Sequence, residues 1–313
     1  MENTDHFTIK KEQEGMVDFY ILAPGITMSF NQIHTYGWSR GGNAIFSDRM
    51  LVLNFCIRGR CDATLDQNQS AIVSEGHVCA STILPVRDFY YPGKLYEGIQ
   101  FYLDRTVIEQ TKETSFLSRM GIDIEQIIRL FCKKDGLYLN QMSAELYDSV
   151  NKMWKIKEAF MKQDFQEKQL GQLRYFMVRL LYELMDMPSE SESGIYFSRS
   201  QIAIVKEAEA LIMQDLSKRI TAKEMADRFG ISESSFKLYV KGILGDSYLS
   251  YFRRKRMEKA AELLETTDLK VIEISNAVGY ENQGKFAKTF AETYGVTPLE
   301  FRRLPSFKRS TDC

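Results

Sequence analysis

The sequence predicts an α+β chain whose first third is β-rich and whose remainder is helical. Three observations carry this expectation. Up to about residue 105, short runs of β-branched and aromatic residues are separated by closely spaced glycines. Beyond that point apolar residues recur at helical spacing. After residue 220 one helical unit is written twice: Gly230 and Gly279 lie 49 residues apart, Gly245 and Gly295 lie 50 apart.

The elements follow in order. Segments 51–57, 71–73, 78–84 and 98–103 read as strands, punctuated by Gly37, Gly41, Gly42, Gly59, Gly76 and Gly93, the rhythm of a small barrel or sandwich. Residues 66–69 read as a polar hairpin loop, and Pro85 and Pro92 bracket an edge or turn. Residues 106–186 form a helical segment. In it Leu170, Leu173, Met177, Leu180 and Leu184 make an apolar seam of two heptads, which either pairs with a second copy or packs the helix on its own barrel. Residues 187–200, rich in Ser and Glu after Pro188, read as a linker, and 201–306 as an all-α domain.

Composition narrows the function. The 313 residues suffice for two or three folded units, with 44% hydrophobic and 27% charged residues typical of a soluble chain. No apolar run approaches the ~20 residues of a membrane span, and residues 1–15 lack a secretory core, so a cytoplasmic protein is expected. Net charge is −1, but 19 Lys/Arg face 16 Asp/Glu from residue 200 onward, against 22 facing 26 before it. A basic end on an acidic body suits a separate polyanion-binding domain. The odd set Cys56, Cys61, Cys79, Cys132 and Cys313 has no C-x-x-C spacing and reads as reduced, apolar thiols. The three histidines, His6, His34 and His77, include no H-x-H pair, so no metal is expected. With no nucleophile motif or phosphate loop either, neither catalysis nor a cofactor is expected.

The repeated unit carries the chemistry. Thr221 caps a helix from 222 to 229 with Glu224 completing a capping box, Gly230 ends it, and Ser232 caps a second helix closed by Gly245. The pattern returns with a helix from 272 to 278, Gly279, the cap Asn282 and a helix closed by Gly295. This is the grammar of two helix-turn-helix motifs, in which the second helix of each enters the DNA major groove. The spacer from Ser247 to about Thr266 spans about 30 Å as a helix, close to the ~34 Å between successive grooves on one face of DNA. It carries Arg253, Arg254, Lys255 and Arg256, which cannot all face one way.

The stretch from Ile220 to Arg303 resembles the DNA-binding domain of the AraC/XylS family of transcription regulators. The resemblance rests on Arg256-Met257, Ala260, Leu263-Leu264, Ile272-x-Ile274, Gly279-Tyr280, Phe286-x-x-x-Phe290 and Gly295-x-Thr297-Pro298 ending in Phe301-Arg302. Ser275 stands where the family has Ala, and Tyr239-Val240 replaces an apolar residue and Phe. The resemblance implies groove-facing positions at Ser234, Lys237, Leu238 and Lys241, then at Gln283, Gly284, Lys285 and Lys288. Lys can donate to guanine or phosphate, Gln can bind adenine at two points, and Leu can touch a thymine methyl. It also implies a cupin-like N-terminal barrel over 1–105 that senses a small molecule, a helical dimerisation segment, and promoter DNA and RNA polymerase as partners of a homodimeric activator.

Within the barrel, Trp38, Tyr36, Tyr90 and Tyr96, with Arg87 or Arg40 for a carboxylate, are the candidate ligand contacts. The competing expectation keeps the DNA-binding end but places the front under a protein partner's control, or gives it dimerisation alone.

Overall fold

The computed structural model describes residues 5–38, 49–64, 69–83, 89–113, 115–133, 136–160, 167–190 and 196–304. Arg87, Arg40, Leu84, Cys313 and loop residues 66–68 fall outside them. The chain divides into two compact units, Met1–Arg199 and Ser200–Cys313.

The first unit opens with nine strands: β1 (His6–Lys11), β2 (Gly15–Ala23), β3 (Ile26–Ile33), β4 (Gly37–Trp38), β5 (Met50–Thr64), β6 (Gln69–Ser74), β7 (His77–Ser81), β8 (Phe89–Tyr90) and β9 (Tyr96–Asp104). Three short helices follow, α1 (Arg105–Gln110), α2 (Phe116–Arg119) and α3 (Ile124–Phe131). Then come β10 (Leu137–Gln141), α4 (Ala144–Phe160), α5 (Glu167–Met185) and β11 (Tyr196–Ser198). The main sheet is antiparallel and runs β1-β2-β3-β9-β5-β6-β11, with β7 bridging β5 and β10, while β4 and β8 form a separate ribbon. Strand β5 is long because it changes partners: Leu53 faces Phe101 and Ala80, whereas further along Cys61 faces Val73.

Period-two alternation buries both faces of this sheet. Leu51, Leu53 and Phe55 on β5, Ile99, Phe101 and Leu103 on β9, and Met28 and Phe30 on β3 share one core with α4 and α5. The alternate residues, Val17, Phe19, Ile33, Cys56, Cys61, Val73, Cys79, Tyr96 and Tyr102, join a second core that also takes in Trp38 and Leu139. The sheet therefore curls until strands distant in its order share one interior. No pairing among the described strands closes it, so the expected barrel is an open, curled sheet here.

Two readings of the sequence are corrected, and of the two alternatives for the seam the one that packs it on its own sheet holds. Strand β10 lies inside the segment read as wholly helical, because Leu137, Tyr138 and Leu139 are buried against β7. The span read as a linker is attached to the first unit: the Tyr138 hydroxyl donates to Pro188 O (2.8 Å), Asn140 Nδ2 donates to Glu190 O (3.0 Å), and β11 extends the sheet from β6. The seam Leu170, Leu173, Met177, Leu180 and Leu184 is at most 3% exposed, inside the same core as the sheet. Burying each such side chain stabilises the unit by about 1.5–3 kcal/mol, so no second copy can reach the seam while the unit is folded.

The second unit is all helix: α6 (Arg199–Gln214, which begins at the boundary), α7 (Ala222–Arg228), α8 (Glu233–Leu244), α9 (Tyr248–Thr266), α10 (Val271–Ala277), α11 (Gln283–Tyr294) and α12 (Pro298–Arg303). Helix α9 is its spine. Its residues Met257, Ala260, Ala261 and Leu264 pack with Ile274, Phe286, Phe290 and Phe301 from the last three helices and with Val278 at the end of α10. No helix among the described residues is long and apolar enough to cross a membrane.

Candidate nucleic-acid interface and interior polar ladder

Helices α7 and α8 are set by local chemistry. The Glu224 amide donates to Thr221 Oγ1 (3.1 Å) and the Thr221 amide donates to the Glu224 carboxylate (2.7 Å), a closed capping box. Gly230 turns the chain at φ 65°, the Ser232 hydroxyl accepts from the Ser235 amide (3.1 Å), and Gly245 stops α8 at φ 87°. The second pair repeats this with Gly279 at φ 80°, Asn282 Oδ1 accepting from the Lys285 amide (2.9 Å), and Gly295 at φ 72°.

On α8, Phe236, Val240 and Ile243 are buried, whereas Ser234, Lys237, Leu238 and Lys241 are exposed. At about 100° per residue, these four fall within an arc of roughly 100° on the side away from Phe236. Leu238 is 65% exposed although it is apolar. Lys237 is tied to Glu233 at 2.6 Å one turn back.

On α11, Gln283, Gly284, Lys285 and Lys288 are likewise exposed, and Phe286 and Phe290 are buried. The caps Ser232 and Asn282, like the stops Gly245 and Gly295, are fifty residues apart. The α11 positions equivalent to the α8 arc are therefore Gly284, Ala287, Lys288 and Ala291. Gln283 corresponds to Glu233 and lies off that arc. Apart from Lys288, the second face carries only small residues. This bareness was missed because lysines draw attention in a sequence and alanines do not, yet the fifty-residue offset was there to be read.

The four cations of the spacer fall into three settings. Lys255 pairs with Glu258 (2.8 Å) and sits over the Tyr251 ring, and Arg254 lies over the same ring and reaches Glu258 at 3.8 Å. Arg256 is half-buried, donating to Leu216 O (3.0 Å) and Lys218 O (2.9 Å); Arg253 is exposed. Ser275, where the family has Ala, is fully buried and donates to Tyr280 O at 2.9 Å, so its hydroxyl is satisfied.

In the first unit, Trp38, Tyr90 and Tyr96 are buried and Tyr36 is half-buried. Trp38 and Tyr96 share the sheet's second core, where Tyr91 lies 5.2 Å from Tyr96. A ladder of neutral polar side chains crosses β3, β9 and β5 beside them. Asn31 Nδ2 donates to Ser29 Oγ (2.9 Å), which lies 3.4 Å from the Tyr102 hydroxyl. Tyr102 donates to Gln100 Oε1, Gln100 Nε2 donates to the Tyr96 hydroxyl (3.0 Å), and Tyr96 donates to Asn54 Oδ1 (2.6 Å). Burial, with Cys61 and Cys56 nearby, pushes the Tyr96 phenol up, so it stays a donor. Of these six only Tyr96 was singled out from sequence. The signal for the others was polar residues at alternate positions of apolar strands.

Burial also raises the thiols of Cys56, Cys61 and Cys79, and that of Cys132 to about 12, so all four are protonated and inert. Among the described residues no cluster of His, Cys, Asp or Glu could hold a metal.

The helix-turn-helix domain family matches residues 225–304. The xylose operon regulatory protein of Escherichia coli strain K12 is 30% identical over 149 residues, 43% of this chain but only 38% of that protein. The HTH-type transcriptional activator AarP of Providencia stuartii is 30% identical over 102 residues, covering 33% of this chain and 76% of AarP. Among solved structures, the C-terminal domain of AraT, a response regulator from Geobacillus stearothermophilus, is 33% identical, covers 33% of this chain and 89% of that one, and has a TM-score of 0.31.

Proposed function

Since this chain belongs to the AraC/XylS family of transcription regulators, we propose that it is a sequence-specific DNA-binding activator governed by a small molecule bound in its first unit. The observation that carries the DNA reading is the exposed arc on α8, repeated fifty residues later on α11 and joined by a 19-residue helix about 28 Å long. Helices α7–α8 and α10–α11 are then two helix-turn-helix motifs offered to consecutive major grooves. Lys241, Lys285 and Lys288 supply cations for phosphate or guanine, and Leu238 supplies an apolar contact for a thymine methyl. The full chain, incubated with a random pool of duplexes, enriches one sequence family under this reading. Retention no better than random competitor at every salt concentration would sink it.

The effector reading is supported by the curled sheet, whose second core encloses a neutral polar ladder beside Trp38 and Tyr96 as a cupin-like sensor would. A metabolite at a hundred times its dissociation constant adds about 2.7 kcal/mol to stability, visible in a thermal-shift panel. Silence across the panel would move control to a protein partner. RNA polymerase is the partner that activation at a promoter requires, and the cytosol is where both are met.

A homodimer is supported by the outer face of α5. Lys168, Gln172, Tyr175, Arg179 and Tyr182 recur there at steps of four and three, with Asp186 four residues on, just past the helix end, and with Tyr175 62% and Tyr182 46% exposed. Laid antiparallel on a two-fold copy at the level of Met177, Lys168 meets Asp186 and Tyr175 meets Arg179. The stripe is self-complementary, as an isologous interface requires.

A further inference from the structure

In the second unit the turn of the second helix pair docks on a loop that precedes the first. Arg219 Nε donates to Gly279 O at 3.1 Å, and its guanidinium lies 5.7 Å from the centre of the Tyr280 ring. Gly279 lies so close to this loop that an added Cβ would meet Ser217 O at 2.7 Å and Leu216 O at 2.9 Å. Arg256, from the middle of α9, holds the other side of the loop through Leu216 O and Lys218 O. Asp215 stiffens it from within, accepting from the Ser217 amide (3.1 Å) and pairing with Lys218 (3.2 Å). The loop leads straight into α7, and Ile220 O accepts from the Tyr248 hydroxyl at the start of α9 (2.7 Å). The matching turn of the first pair has no such dock: a Cβ at Gly230 meets nothing within 4 Å. Two like-charged guanidiniums therefore converge on one loop, each satisfied by backbone carbonyls.

We propose that residues 215–219, gripped by Arg256 and closed onto Gly279 by Arg219, form a latch that fixes the second helix pair against the first and so sets the half-site spacing this protein accepts. Without a direct tie between them, two pairs joined through α9 alone could still tilt against each other. The latch removes that freedom by joining the two pairs directly, making Arg219 and Arg256 positioning residues that touch no base. The proposal rests on the reading of α8 and α11 as groove-entering helices.

The test uses the full chain and the duplex it enriches from a random pool, with one to two base pairs added or removed between the half-sites. Each base pair moves a half-site by about 3.4 Å along the duplex, enough to break base contacts. The natural protein is expected to lose about tenfold or more per step. Arg219→Ala, a change at an exposed side chain that leaves the core intact, is expected to lose no more than about threefold per step. Its salt dependence should be unchanged, because no phosphate contact has been removed. Undiminished discrimination in Arg219→Ala would overturn the latch. So would a uniform loss at all spacings with a shallower salt slope, which would make Arg219 a phosphate contact. If the natural protein enriches no duplex, the DNA reading itself fails and the latch with it.

Discussion

Gly230 and Gly279 occupy equivalent turns, yet the surroundings of their missing Cβ atoms differ, and this difference is measurable. Both sit at positive φ, so alanine at either costs about 1–2 kcal/mol of backbone strain. At Gly230 that is the whole cost, whereas at Gly279 the methyl group must also displace the carbonyls of Leu216 and Ser217. Gly279→Ala is expected to lower the opening free energy of α10 and α11 by about 2 kcal/mol more than Gly230→Ala lowers that of α7 and α8. Native-state amide exchange reads both values, and equal losses would show that the close approach has no energetic weight. In the first unit, His6 stacks on Tyr20 (4.5 Å) with Asp18 at 4.0 Å. Burial lowers its pKa, against the smaller raising effect of Asp18. A lowered imidazole disfavours protonation in the folded state, so its contribution to stability is present above the unfolded value of 6.5 and is lost as pH falls below it. His6→Gln is therefore expected to flatten the loss of urea stability between pH 7.5 and 5.5, and an unchanged slope would remove His6 from the account. Residues of this kind were poorly legible in the sequence. The eight groove candidates, which the family resemblance implied, are all exposed. Ser29, Asn31, Asn54 and Gln100 were missed because a lone polar residue in an apolar strand reads the same whether its neighbour across the sheet is polar or not.

At the scale of elements, the caps and stops of α7, α8 and α11 and the stop of α10 were legible to within a residue or two, since each depends on side chains within four positions of itself. Strands β10 and β11 were not, being five and three residues long and owing their conformation to β7 and β6, which are distant in sequence. The seam on α5 shows the limit differently: its heptad spacing says that one face is buried but not what buries it. The first unit's own core does so, and the opposite face, with its two exposed tyrosines, is the one proposed for a partner. If that partner is a second copy, Lys168 and Asp186 are opposed across the two-fold axis. Asp186→Lys then sets like charges against each other at both ends of the stripe and should weaken the dimer about five- to tenfold. Adding Lys168→Asp restores opposite signs and should recover most of the loss. Analytical ultracentrifugation of the two variants decides it, and a double variant no better than the single one would rule out this antiparallel pairing.

Over the whole molecule, the near-neutral charge of −1 conceals a division, the positive excess lying in the last 114 residues. Salt dependence of DNA binding responds to the cations that touch phosphate rather than to net charge, since each such contact releases condensed counterions. The candidate cations are not equivalent. Lys237 already has the Glu233 carboxylate at 2.6 Å, whereas Lys241, Lys285 and Lys288 are in no ion pair among the described residues. A lysine paired within its own helix must give up that partner to engage phosphate, so its removal costs less than removal of an unpaired one. Lys288 occupies the position equivalent to Leu238, which is 65% exposed. Lys288→Ala is accordingly expected to weaken binding to the enriched duplex and to reduce the slope of log K against log salt by about 0.9, while Lys237→Ala changes it by less. Titrations of the full chain between 50 and 300 mM salt measure both slopes. If Lys288→Ala keeps the natural slope but loses preference at one base pair, the lysine reads a guanine edge. An unchanged slope with unchanged preference would remove Lys288 from the interface and leave Lys285 as the cation that α11 supplies.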